Sequence, residues 1–124
     1  MAKQLLNAAT ATGAGNWAKG YKTSKHVVEV TTSAVMTALT VDLEGTIDTR
    51  AQASGYTAAS VSLTDPTLAA PGHVFTAAEL TAKRSVFFII NELTEFVRAN
   101  ILTYTPVSGS PTVTVKYLGE SSWD

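Results

Sequence analysis

Leu39, Val41, Leu43 and Ile47 alternate with Thr40, Asp42, Glu44, Thr46 and Asp48, and this period of two limits the possible folds more than any other feature of the chain. Successive side chains of a strand point to opposite faces, so the pattern predicts a strand over about 35–49 with one apolar side and one acidic, hydroxylated side. Gly45 interrupts the apolar row, where a bulge or bend is the usual reason for a glycine.

Shorter segments repeat the same message. Residues 25–32 place His26, Val28 and Val30 on one face and Val27, Glu29 and Thr31 on the other, so His26 is expected to pack. Only Ser33-Ala34 separates this run from the long strand, which predicts a hairpin. Ser54-Gly55 signals a turn, and Ala59, Val61 and Leu63 then alternate with Ser60 and Ser62. Asp65-Pro66 and Pro71-Gly72 bracket a loop. Within it, Thr76-Ala77-Ala78-Glu79 has the spacing of a capping box, predicting a helical turn or two up to Lys83. The run 85–90 is apolar on both faces and is expected to be a central, covered strand, with Asn91-Glu92 as the turn after it. Val97, Ala99, Ile101 and Thr103 oppose Phe96, Arg98, Asn100, Leu102 and Tyr104. After a link with two prolines at 106–111, Val113, Val115 and Tyr117 share a face of the last strand.

Short strands punctuated by Gly and Pro, with no helical repeat, predict an all-β fold, an antiparallel β-sandwich or jelly-roll-like domain. A single open sheet would leave Phe87 to Ile90 uncovered on one side, which favours two stacked sheets. Residues 1–20 are small and aperiodic and read as an extended N-terminal arm, ahead of a single domain at 21–124. The arm can be anchored only by Leu5, Leu6 and Trp17. Tyr21, Tyr56, Tyr104 and Trp123 lie in or beside expected loops or termini, where aromatic rings serve interfaces, and Leu5, Leu6, Trp17, Tyr21 and Trp123 are the candidate partner-binding set.

Composition removes several functional classes. A net charge of −1 and a charged fraction of 15% leave no clustered basic surface for a phosphate backbone, so nucleic acid is not an expected partner. The loose group Lys19, Lys22 and Lys25 around Tyr21 reads as solvated. With no cysteine, disulfides, thiolate catalysis and Cys-based zinc sites are excluded. No apolar run reaches the roughly 20 residues of a membrane span, and the first residues lack the apolar core of a signal peptide, so a soluble protein made in the cytoplasm is expected.

The chemistry-bearing residues point the same way. Asp42, Glu44 and Asp48 share a strand face at a spacing that a glycosidase pair tolerates, but no aromatic residue flanks them to stack a sugar. Oxygen ligands along a flat strand also cannot wrap a calcium ion as a loop does. The acidic face reads instead as solubilising or partner-facing surface, with Arg98 and Asn100 pairing across strands to Glu44 or Asp42. His26 and His73 have no second ligand at metal-binding spacing, and no Gly-x-Ser-x-Gly turn presents a nucleophile. Gly13-Ala14-Gly15 lacks the rest of a dinucleotide fingerprint and reads as flexibility. No catalytic residue, metal or cofactor is expected, and the chain is read as no enzyme.

Three blocks carry a family resemblance: residues 5–15, Leu-Leu-Asn-Ala-Ala-Thr-Ala-Thr-Gly-Ala-Gly; residues 41–48, Val-Asp-Leu-Glu-Gly-Thr-Ile-Asp; and residues 96–101, Phe-Val-Arg-Ala-Asn-Ile. In type and order they resemble small β-sandwich virion structural proteins of tailed bacteriophages. The resemblance covers most of the chain. It implies a capsid decoration, or cement, protein that binds the major capsid protein on the virion surface, commonly as a homotrimer. The alternative within the same resemblance is a carbohydrate-binding or structural module of a tail fibre or baseplate. One departure is local: where such proteins often follow the acidic strand with Asp-Gly and an aromatic residue, this chain has Asp48-Thr49-Arg50-Ala51-Gln52.

Overall fold

An apolar row on one strand face is stable only against another such row, and the chain provides two sheets whose inner faces meet. The computed structural model describes residues 3–23, 25–59, 61–63, 73–81, 86–90 and 94–120. In chain order the elements are β1 (Lys3–Ala9), β2 (Gly13–Ala14), β3 (Ala18–Thr23), β4 (Lys25–Thr32), β5 (Met36–Thr46), β6 (Val61–Ser62), β7 (His73–Val74), α1 (Ala77–Thr81), β8 (Val86–Ile90), β9 (Thr94–Pro106) and β10 (Val113–Glu120). The first sheet has the order β1-β10-β4-β8. In the second, β9 and β5 lie side by side, with β2 and β3 along the far edge of β9 and β6 and β7 along that of β5. Every pairing is antiparallel. The fold is an all-β sandwich.

The core lies where the alternation puts it. Val28 and Val30 of β4 and Val113, Val115 and Tyr117 of β10 belong to one buried cluster with Leu39, Val41 and Leu43 of β5 and Val97, Ala99 and Ile101 of β9. His26 shares the Val28 face as expected and is wholly buried, its Nδ1 2.6 Å from the Tyr117 hydroxyl. The two rings stack with centroids 5.6 Å apart. Buried polar atoms need partners, and this pair lets an imidazole sit among valines.

The capping box forms as read. Thr76 N–H donates to Glu79 Oε1 (2.8 Å) and Glu79 N–H to Thr76 Oγ1 (3.3 Å), starting α1. The Thr76 N–H is the main cause that holds the Glu79 carboxyl below its ordinary range.

Five expectations need correction. The 33–34 link is no hairpin: β4 belongs to the first sheet and β5 to the second. Ser33 bonds instead to Thr112, just before β10, its N–H donating to Thr112 O (3.0 Å) and its Oγ accepting from Thr112 N–H (2.8 Å), which makes a corner between sheets. Gly45 sits in regular register opposite Val97, and the irregularities lie elsewhere, between Met36 and Ala38 and between Thr40 and Val41. At the second, Thr40 pairs with Thr103 and Val41 with Ile101, so Leu102 is the extra residue. That insertion shifts the period by one, brings Tyr104 opposite Leu39, and packs it against the core with its hydroxyl donating to Pro111 O (2.7 Å). The apolar row of β5 also ends before Ile47, which is 78% exposed. Finally, β8 is an edge strand: among the described residues it pairs only with β4.

The fifth correction concerns the N-terminal arm. It is extended, but Lys3–Ala9 is a strand hydrogen-bonded to β10, and Gly13–Ala14 pairs with β9 in the other sheet. Leu5 is 5% exposed within the core cluster and Leu6 packs against it. Burying these side chains offsets the ordering entropy that a small-residue segment would otherwise have to lose unaided. The chain crosses between sheets at residues 10–12, and Gly15 follows just after β2. Its N–H donates to Ala99 O (2.9 Å), and a Cβ there would collide with the Leu5 carbonyl oxygen. Close backbone approach, rather than flexibility, explains this glycine.

Candidate functional site

The outer face of β5 and β9 carries Asp42, Glu44, Arg98 and Asn100, and a charged face is expected to be solvated. Here it is covered. Asp42 is 2% exposed and accepts from Ser62 Oγ at 2.6 Å. Glu44 binds both residues that the register sets on β9: Arg98 Nε donates to its Oε1 (2.6 Å) and Asn100 Nδ2 to its Oε2 (3.1 Å). The cross-strand pairing expected of Arg98 and Asn100 is therefore present, but the reading of this face as solubilising surface does not hold.

The cover is the segment after β5. Asp48 accepts from Arg50 N–H (3.0 Å) and Arg50 Nε (3.2 Å), an aspartate-anchored turn that reverses the chain. Further turns follow from Ala51 N–H to Asp48 O, Ala53 N–H to Arg50 O and Tyr56 N–H to Ala53 O, with Gly55 at φ +74°. These reversals lay Ala51 and Ala58 over Phe96, with Trp17 and Tyr56 packed at the margin, as a second and smaller apolar cluster.

Asp48, Arg50 and Tyr56 form a closed set on this segment. The Tyr56 hydroxyl donates to Asp48 Oδ2, and Arg50 reaches the same hydroxyl (2.7 Å) with its guanidinium 4.5 Å from the ring centroid. Hydrogen bonds from Tyr56 first, then from the Arg50 backbone and side chain, hold the Asp48 carboxyl down at about 2 against an ordinary 3.8. Sharing its proton with this carboxylate raises the Tyr56 hydroxyl, and the same ion pair raises Arg50.

Between this segment and residues 15–17 lies an open cleft of about 400 Å³. Trp17 forms one wall, with the Arg98 guanidinium over its ring at 4.5 Å from the centroid. Tyr56 lines the other side. Gln52 ties the walls together, its Nε2 donating to the Trp17 carbonyl (3.0 Å). Asn16, Ser54 and Thr57 complete the polar lining, all three exposed.

Of the residues read as partner-binding, Trp17 lines this cleft. Leu5 and Leu6 serve the protein's own core, and Tyr21 lies on β3. Trp123 lies outside the described residues, as do the 65–66 and 71–72 turns, Lys83 and the turn at 91–92. Sequence reasoning noted Tyr56 as an interface aromatic but missed Arg50 and Gln52, although the Asp48–Gln52 departure marked their place. Asp42, Glu44 and Asp48 are each engaged by a structural partner, and no group of three metal-ligating side chains occurs among the described residues. No helix among them is long and apolar enough to cross a membrane. Comparison with protein-family models, with curated proteins and with solved structures returns no match.

Proposed function

We propose that this chain is a non-enzymatic virion structural protein of a tailed bacteriophage, a capsid decoration protein that binds the major capsid protein on the particle surface as a homotrimer. The observation that carries the non-enzymatic part is the engagement of the acidic face: Asp42, Glu44 and Asp48 are bound by Ser62, by Arg98 with Asn100, and by Tyr56 with Arg50. General acid–base work needs a carboxylate within reach of a substrate, and the partners these three already have support a non-catalytic reading of them. What the molecule offers a partner is surface, including the isolated exposed side chains of Ile47, Val74 and Val107. The likeness of the three sequence blocks to small virion proteins supplies the setting.

Electron cryomicroscopy of particles assembled with and without the protein tests the reading. Density for three copies at capsomer junctions is the expected result, together with a solution mass three times the 13.0 kDa of one chain. Localisation to the tail, or absence from purified particles, overturns it.

A further inference from the structure

We infer that the cleft between Trp17 and Tyr56 is a binding site for a neutral oligosaccharide, an activity that goes beyond the coat role and does not depend on it. Its volume, about 400 Å³, lies within the roughly 300–1,000 Å³ of small-ligand sites. Its chemistry is the mixture that a sugar ring presents in complement. The apolar face of a pyranose packs on an aromatic ring, and its hydroxyls need short, oriented donors and acceptors. Trp17 and Tyr56 are the aromatic residues of the lining, each with a guanidinium 4.5 Å over one face of its ring so that a sugar would pack on what that cation leaves open, and the exposed side chains of Asn16, Gln52, Ser54 and Thr57 provide amides and hydroxyls.

Charge decides against an ionic ligand. The cation that lines the cleft, Arg98, already has a carboxylate partner in Glu44 at 2.6 Å, and Arg50, which lies against Tyr56 outside the lining, is paired with Asp48 at 3.2 Å. The lining is therefore close to electroneutral, and a phosphate or uronate would have to compete with an existing pair for either guanidinium. A neutral ligand meets no such competition.

The walls are also held before any ligand arrives. Gly15 is bonded to Ala99, Gln52 to the Trp17 carbonyl, and the opposite wall is fixed by the Asp48–Tyr56 hydrogen bond and successive turns. Preorganisation of this kind lowers the entropy lost on binding, which matters for weakly held, flexible sugars.

The test uses the full chain with Trp123→Phe, so that indole emission reports Trp17 alone. It is titrated with neutral hexasaccharides of β-1,4-glucose, α-1,4-glucose, β-1,4-xylose and N-acetylglucosamine, and with a hexauronate. A saturable emission change with at least one neutral sugar, and none with the uronate, is expected. Ser54→Trp, at an exposed cleft position and read by calorimetry because it adds an indole, fills the cleft without touching the core and should weaken that binding by about tenfold or more. Trp17→Ala, read by calorimetry, should do the same. Silence across the neutral panel, equal or tighter binding of the uronate, or unchanged affinity in Ser54→Trp overturns the inference. Loss of capsid binding in Ser54→Trp, with no sugar bound by the parent, assigns the cleft to a protein partner and also overturns it. Capsid occupancy that persists in Ser54→Trp while sugar binding is lost separates the two functions.

Discussion

The inner and outer faces of β5 and β9 are both buried, but by different means. Inside, Leu39, Val41, Leu43, Val97, Ala99 and Ile101 meet the opposite sheet, and the contact is non-directional. Outside, Asp42 is held by Ser62, Glu44 by Arg98 and Asn100, and Arg98 by the Trp17 ring, while the 47–58 segment packs on Phe96, so each polar group has a particular partner at a particular distance. The difference teaches that one alternating sequence can be covered twice. An aliphatic face accepts any apolar layer of suitable shape, whereas a charged face can be covered only if its charges find one another first.

The strongest way to break this comparison is to empty the inner face. Leu43→Ala should lower unfolding free energy by about 3 kcal/mol, because the residue is 1% exposed and its removal leaves a cavity between sheets. Urea denaturation at constant slope measures this. A loss below about 1 kcal/mol would mean that the inner face is not the main source of stability.

Removing one outer charge should cost somewhat less. Glu44→Ala leaves Arg98 without its carboxylate, and with the Glu44 and Arg98 side chains only 14% and 23% exposed the expected loss is about 2 kcal/mol. The sharper measurement is the double variant Glu44→Met with Arg98→Met. It should recover most of that loss, since an apolar pair of similar volume carries no unpaired charge. Failure to recover would show that the ion pair itself, and not the absence of an orphan, holds the cover down.

A smaller effect is expected where the two kinds of burial meet. Tyr117→Phe removes the hydroxyl beside the buried His26 Nδ1 while keeping the ring, and about 1–2 kcal/mol should be lost. Tyr117→Leu, which also removes the stacked ring, should cost more; equal losses would deny the ring stack any role, and no loss in Tyr117→Phe would deny the hydrogen bond one.

The smallest effect concerns the exposed rim. With its folded pKa lowered to about 2 from 3.8, Asp48 favours the folded turn above its ordinary range, and that contribution fades as pH falls through about 2. NMR titration of the Asp48 carboxyl should give a midpoint near 2, and Tyr56→Phe should move it upward by removing the largest cause. A midpoint that stays put in the variant would place the cause with Arg50.

Much of this was legible locally. The faces of β4 and of β9 up to Ile101, the burial of His26, the capping box at Thr76 and the pairing of Glu44 with Arg98 and Asn100 all follow from side-chain periodicity or short-range spacing. The cleft was only partly legible. Trp17 and Tyr56 were noticed as aromatics, but 39 positions separate them along the chain and nothing in either neighbourhood says that they share a site. The Leu102 insertion was hidden for another reason: an extra residue is a relation between two strands, and neither strand's own pattern records it.

The sequence by itself determined six of the strands, β4, β5, β6, β8, β9 and β10, most of their apolar rows and the two-layer answer, because alternation is a property of each segment alone and an apolar face must be covered by something. Only the tertiary structure decided which strand lies in which sheet, that Lys3–Ala9 belongs to the sandwich, that β8 stands at an edge, and that the acidic face of β5 is covered rather than wet. Those choices depend on contacts between residues far apart in the chain, where competing partners are alike in local pattern and differ only in how well the whole set packs and pairs.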